Sequence, residues 1–274
     1  MDRVPNTEGF DIAKERFMLI GITGQTYSGQ SSMFNEILAN HHLGVMDHSG
    51  VYEDLVLAYL NGDEGAVNWY KESGTIPPRR DADGNVIFNE GAEDSTYINK
   101  SEFLQDKEKM HFLRSHSFKT KMPRIAEGLK NIAEANPYIT KDMQVPIFVD
   151  LPMCGEVNYF DYVDKMIVVT RPREPDPDTW YVKYITGDHN TNDDNFIDLC
   201  AIMETCCDIL TTDDYAFDQI IELIGDNVQF VDNNGTYEEY LAKCKAVLEQ
   251  YTKVSQDAIR PIVEQKIKEI FNGK

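Results

Sequence analysis

The chain has 274 residues, with 47 acidic side chains against 26 basic ones, a formal net charge of -21 and an apolar share of 42%. That length can bury a substantial core as one α/β domain with insertions, while the charge argues against DNA, RNA and anionic membrane surfaces as partners, each of which needs an electropositive footprint. No stretch has the length of a membrane span or the pattern of a signal peptide, so a cytoplasmic protein is expected, and Cys154, Cys200, Cys206, Cys207 and Cys244 lack the paired spacing of a zinc site or a disulfide framework.

Residues 1–15 are polar and read as an irregular or short helical extension. The apolar run 17–20 predicts a buried strand, and residues 21–32, GITGQTYSGQSS, predict a glycine-rich turn opening into a helix. The turn runs Gly24, four residues, Gly29, Gln30, Ser31, which is the phosphate-loop spacing with glutamine in the lysine position. Successive backbone N–H groups and a helix N-terminus cradle a phosphate without a lysine, and Ser31 offers a hydroxyl to magnesium. Residues 32–39 continue as helix, and 44–47 read as a second strand ending on Asp47, at the edge where open parallel sheets bind ligands.

A helix is expected over 51–60, followed by insertion or lid-like surface over 61–99 and a helical lobe over 100–136 that carries Lys119, Lys121, Arg124 and Lys130. Residues 145–149 read as a third strand, with Asp150 directly after it. Residues 165–170 read as a fourth, followed by Arg171-Pro172-Arg173. From 186 to 239 there is no lysine or arginine; apolar spacing still predicts helices over 192–210 and 213–224. A strand over 228–231 leads into the turn Asp232-Asn233-Asn234-Gly235, and Thr236 with Glu239 forms a capping-box pattern for a helix reaching 249. Ile259, Ile262, Val263, Ile267 and Ile270 recur at helical spacing and predict a last helix. Strands separated by helical segments predict a parallel sheet with crossover helices. The expected layout is an extension over 1–15, a main domain over 16–252 with a lobe and a lid near 180–212, and a C-terminal helix over 253–274.

In this order the motifs resemble the dephospho-coenzyme A kinase family of phosphate-loop kinases. The resemblance rests on GITGQTYSGQSS, on Val45-Met46-Asp47, on Asp150-Leu151-Pro152-Met153-Cys154-Gly155-Glu156, on residues 162–169 and on Val231-Asp232-Asn233-Asn234-Gly235. Phe112-Leu113-Arg114-Ser115-His116 is similar to the family's helix that ends in a histidine before the substrate-binding portion. The resemblance implies a phosphate-loop NTPase fold and transfer of the terminal phosphoryl group of ATP, with Mg2+, to the 3'-hydroxyl of dephospho-coenzyme A.

On that basis Gly24, Gly29, Gln30, Ser31 and Ser32 line the nucleotide phosphates, and Ser31 helps hold the metal. Asp47 orients the acceptor hydroxyl and takes its proton. Arg171 and Arg173 contact the phosphates or the adenine side, with Arg173 placed to steady the transferring charge. Asn233 and Asn234 lie on the nucleotide side, and His116, Asp150 and Glu156 on the substrate side. The chain departs from the family pattern at Gln30, at Ser49, at Glu53 and in a lid without basic residues. These departures keep two other readings in play: a nucleotide or coenzyme A binder without catalysis, and a kinase for another nucleoside or nucleotide acceptor. A homo-oligomer is compatible with either.

Overall fold

The structure is a computed structural model and describes residues 3–25, 28–40, 42–47, 51–73, 79–84, 86–87, 107–154, 157–171, 218 and 227–272. Five parallel strands form the sheet: β1 (Met18–Gly24), β2 (Leu43–Val45), β5 (Pro146–Asp150), β6 (Lys165–Thr170) and β7 (Val228–Asp232), in the order β2-β5-β1-β6-β7. Helices pack on both faces, so the expected α/β class with a parallel sheet is the one the chain adopts. A separate two-stranded hairpin, β3 (Arg79–Arg80) and β4 (Val86–Ile87), lies outside this sheet.

Alternation along the central strands divides the core into two layers. Leu19, Ile147, Val149 and Val168 face α1 (Glu8–Lys14) and α5 (Lys107–Ala135), where they pack with Phe10, Phe118, Met122, Ile125 and Leu129. Ile20, Ile22, Phe148, Ile167 and Val169 face α2 (Gln30–Ala39) and α6 (Tyr237–Asn272), meeting Met33, Phe34, Ile37, Tyr240, Val247 and Leu248. Both faces being covered explains why β1, β5 and β6 read as near-continuous apolar runs.

Three elements differ from the sequence reading. The N-terminal residues do form a short helix, but α1 is a packed part of the core: Phe10 and Ala13 are fully buried, and a Cβ on Gly9 would meet the Ala126 carbonyl oxygen at 1.9 Å. The span after α3 (Val51–Leu60) holds another helix, α4 (Glu64–Ser73), whose Trp69 and Tyr70 are buried. The expected break between two C-terminal helices does not occur, because α6 runs unbroken through Pro261. Its start is the anticipated capping box: Thr236 N–H donates to Glu239 Oε2 at 2.8 Å and Glu239 N–H to Thr236 Oγ1 at 3.3 Å. Among the described residues no helix is long and apolar enough to cross a membrane. The helix expected over 192–210, all but Asp218 of the helix expected over 213–224, the lid near 180–212 and most of the turn after β6 lie outside the described residues.

Candidate functional site

Parallel pairing brings several strand ends to one edge. Gly24 closes β1 opposite Val169, Asp150 closes β5 opposite Ile22, and Val45 closes β2 opposite Val149, which puts Asp47 just beyond the same edge. The glycine-rich loop leaves the central strand here and enters α2. Gly29 is the N-cap of α2 with φ of 96°, a left-handed conformation open mainly to glycine. A Cβ at Gly29 would also meet the Tyr240 ring at 2.8 Å. The first turn of α2 holds an exposed Ser31 and a half-buried Ser32 and contains no acidic residue, which suits an anion at its N-terminus.

Gln30 turns its side chain back toward the sheet. Its Nε2 donates to Asp150 Oδ1 at 2.6 Å, to the Ile22 carbonyl at 3.0 Å and to the Leu151 carbonyl at 3.2 Å. Three acceptors surround an amide nitrogen that carries only two hydrogens, so the position is saturated with acceptors. The side chain therefore acts as a strut joining the loop helix to the ends of β1 and β5, and Asp150 is the charged end of that strut.

A second set of struts comes from the far side of the sheet. Asn233, 1% exposed after β7, donates through Nδ2 to the Ser28 carbonyl at 2.6 Å, and its own N–H donates to the Thr170 carbonyl at 2.7 Å. The Tyr240 hydroxyl of α6 donates to the Gly29 carbonyl at 2.7 Å, and burial raises its pKa so that the donor proton is retained. Gln25, also buried, accepts the Arg171 N–H through Oε1 at 3.1 Å. Sequence reasoning placed Asn233 and Arg171 beside the ligand; the contacts described here run through Asn233 and the Arg171 backbone to the loop itself. Arg171 is 4% exposed and Asn234 is exposed, with its Oδ1 accepting from Lys243 Nζ at 2.8 Å.

Asp47 is paired with Arg124 of α5 through Oδ2 and Nε. His116, on the same helix, is half-buried, stacks on Phe112 at 5.9 Å between ring centroids, and accepts from the Thr120 hydroxyl through its carbonyl at 2.9 Å. Arg173 and Glu156 lie outside the described residues, as does Ser49.

Four contributors were not singled out by sequence pattern: Gln25, Ser28, Tyr240 and Tyr159. Ser28 Oγ is buried with no hydrogen-bond partner among the described residues. Tyr159 lies under the loop after β5, where its hydroxyl takes the Cys154 N–H at 2.9 Å and reaches the Pro152 carbonyl at 3.0 Å. The serine and Gln25 sit inside the glycine motif, so their position was a usable signal. Tyr240 carries no local signal, since its partner Gly29 lies far away in sequence, whereas Tyr159 acts on Pro152 and Cys154 in the loop just before it. His42 is half-buried with its ring edge-on to Phe148 at 5.4 Å, and burial holds its imidazole below its ordinary pKa.

No family model matches the chain, and no curated protein matches it. Among solved structures the chain is similar to the crystal structure of TT1252 from Thermus thermophilus, at 15% identity and a TM-score of 0.41, over 86% of this chain and 98% of that one.

Proposed function

We propose that this protein is a diverged dephospho-coenzyme A kinase: it transfers the terminal phosphoryl group of ATP to the 3'-hydroxyl of dephospho-coenzyme A, releasing ADP. The observation that supports this reading is the meeting of a strutted phosphate loop, Asp150 and Asp47 at one sheet edge. The loop and the N-terminus of α2 present N–H groups to the phosphates, and the Ser28 hydroxyl, without a hydrogen-bond partner among the described residues, is a further polar group held within the loop. The 3'-oxygen forms the new P–O bond as the bond to the ADP oxygen breaks, and Asp47 accepts the hydroxyl proton.

The residues present fit magnesium. Ser31 is an exposed hydroxyl and Asp150 a carboxylate, both hard oxygen donors. Among the described residues no cluster of three or more acidic, histidine or cysteine side chains could hold a metal alone, so the nucleotide phosphates would supply the remaining ligands. Bound there, the ion would neutralise phosphate charge.

A binder without transfer is the second reading, and Gln30 favours it, because its amide is spent on the sheet rather than on a ligand. Purified protein incubated with magnesium-ATP and dephospho-coenzyme A decides between them by mass-spectrometric detection of coenzyme A. Product that disappears with Asp47→Asn supports the kinase. Tight calorimetric binding of both ligands with no product supports the binder, and ATP consumption with a different nucleoside or nucleotide in an acceptor panel moves the assignment to that acceptor.

A further inference from the structure

We propose that Arg124 is the acceptor-side positioning residue of this site: in the free protein its guanidinium holds Asp47, and an anionic group of a phosphate-bearing acceptor takes the guanidinium over and leaves the carboxylate to the acceptor hydroxyl. This rests on the kinase reading above and deepens it by naming the residue that ties acceptor charge to the proton-accepting group.

The backbone fixes where Arg124 stands. One turn further along α5, a Cβ on Gly128 would meet Val45 Cγ1 at 3.0 Å, so the helix lies against β2 closely enough that a side chain there would press on Val45. That close approach delivers Arg124 to Asp47, just past the end of β2. Arg114, Ser117, Lys121, Arg124 and Gly128 follow one another at alternating spacings of three and four and share one face of the helix. Arg114 lies near enough to Tyr159 to favour its ionised form, although burial of the phenol outweighs that effect. The same face therefore runs from the loop after β5 to the end of β2.

The two partners differ in access. The Asp47 side chain is 12% exposed and that of Arg124 is 44% exposed, so a ligand arriving from solvent meets the guanidinium first. Solvent reaches the pair from the guanidinium side and screens it there. A guanidinium presents five donors in a planar fork that suits phosphate oxygens, and such pairs are stronger than a single contact to a carboxylate. Exchange of one anion for the other is thus favoured when the acceptor carries a diphosphate, and not when it is an uncharged nucleoside.

The test is calorimetric titration of dephospho-coenzyme A and of adenosine into the full chain and into Arg124→Ala, Arg124→Lys, Asp47→Asn and the Asp47→Asn/Arg124→Ala double variant. Arg124→Ala should weaken dephospho-coenzyme A about tenfold or more, with Arg124→Lys in between, and leave adenosine within about twofold. Asp47→Asn should tighten dephospho-coenzyme A about threefold by removing a carboxylate that competes for the guanidinium, and should do so only when Arg124 is present. A purely structural pair predicts weakening by both variants. Equal tightening by Asp47→Asn with and without Arg124 reduces the effect to removal of a negative charge, and either of those results overturns the proposal while the acceptor reading stands. Wild-type protein that takes up no dephospho-coenzyme A refutes the acceptor reading itself.

Discussion

Replacing Gln30 tests whether the residue in the lysine position is a strut. Its Nε2 faces one carboxylate oxygen and two carbonyl oxygens, with two hydrogens to share among them. Counting one hydrogen bond to a charged group at about 1.5–3 kcal/mol and one neutral bond at about 0.5–1.5 kcal/mol gives an upper range, which water entering a half-buried site reduces to about 2 kcal/mol for Gln30→Ala. For a chain of this size that corresponds to a fall of about 4–8 °C in melting temperature. Gln30→Glu keeps the shape and reverses the hydrogen-bonding sense, setting a carboxylate against three acceptors, so it should lose more than alanine at pH 7.5 and recover as the pH falls and the new carboxyl takes a proton. Gln30→Lys supplies three donors and a charge to the same acceptors and should stay within about 1 kcal/mol of wild type. Urea unfolding and thermal melts of the three variants give the ranking. A Gln30→Glu protein as stable as wild type at pH 7.5 would falsify the strut.

The loop struts from β7 and α6 should show in both stability and ligand binding. Asn233→Ala leaves the buried Ser28 carbonyl without its Nδ2 partner and should cost about 1–3 kcal/mol, while Tyr240→Phe removes only a hydroxyl and should cost about 1 kcal/mol. Both should weaken nucleotide binding in calorimetry, and binding that is unchanged in both variants refutes preorganisation of the loop by these contacts. Burial pushes the Cys244 thiol up to about 11, so native protein at pH 7.5 should be alkylated at Cys244 far more slowly than urea-unfolded protein; equal rates by peptide mass spectrometry refute its burial. His42 has a folded pKa depressed by burial, so its contribution is fully present above the ordinary value of 6.5 and is lost as pH falls through the depressed one. The stability difference between wild type and His42→Gln should therefore shift against wild type between pH 7.5 and 5, and a difference independent of pH contradicts this.

Legibility of the sequence followed the range of the forces involved. Parallel strands buried on both faces need consecutive apolar residues, which made 165–170 readable to the residue. The capping box at Thr236 and Glu239 is a local exchange of hydrogen bonds, and it too was visible as spacing. Glycine spacing located the loop, because Gly29 must take a positive φ. The loop's supports were not visible: Tyr240 reaches Gly29 and Asn233 reaches Ser28 across most of the chain. Arg124 read only as one of several basic residues on a helical lobe, and its pairing with Asp47 shows once the helix packs against β2 near Gly128. The polarity of α1 likewise concealed a buried Phe10 that packs edge-on to Tyr162 at 5.2 Å.

The glutamine in the loop changes where positive charge must come from. A lysine there would bring a mobile cation to the phosphates; Gln30 brings none and is tied to Asp150. Positive groups described at or beside this edge include Arg171, buried after β6, Lys243 of α6 beside Asn234, and Arg114, Lys121 and Arg124 along one face of α5. In a chain of net charge -21, an anionic ligand gains little from the general field and depends on such local groups. Backbone N–H groups at the head of α2 can hold phosphate oxygens in place, yet they carry no net charge to offset a triphosphate. Arg124 is different in kind, because its charge is already directed at Asp47. On the proposed reading, binding of a charged acceptor would both offset phosphate charge and release the carboxylate, so the step that supplies the missing cation would also ready the proton-accepting group.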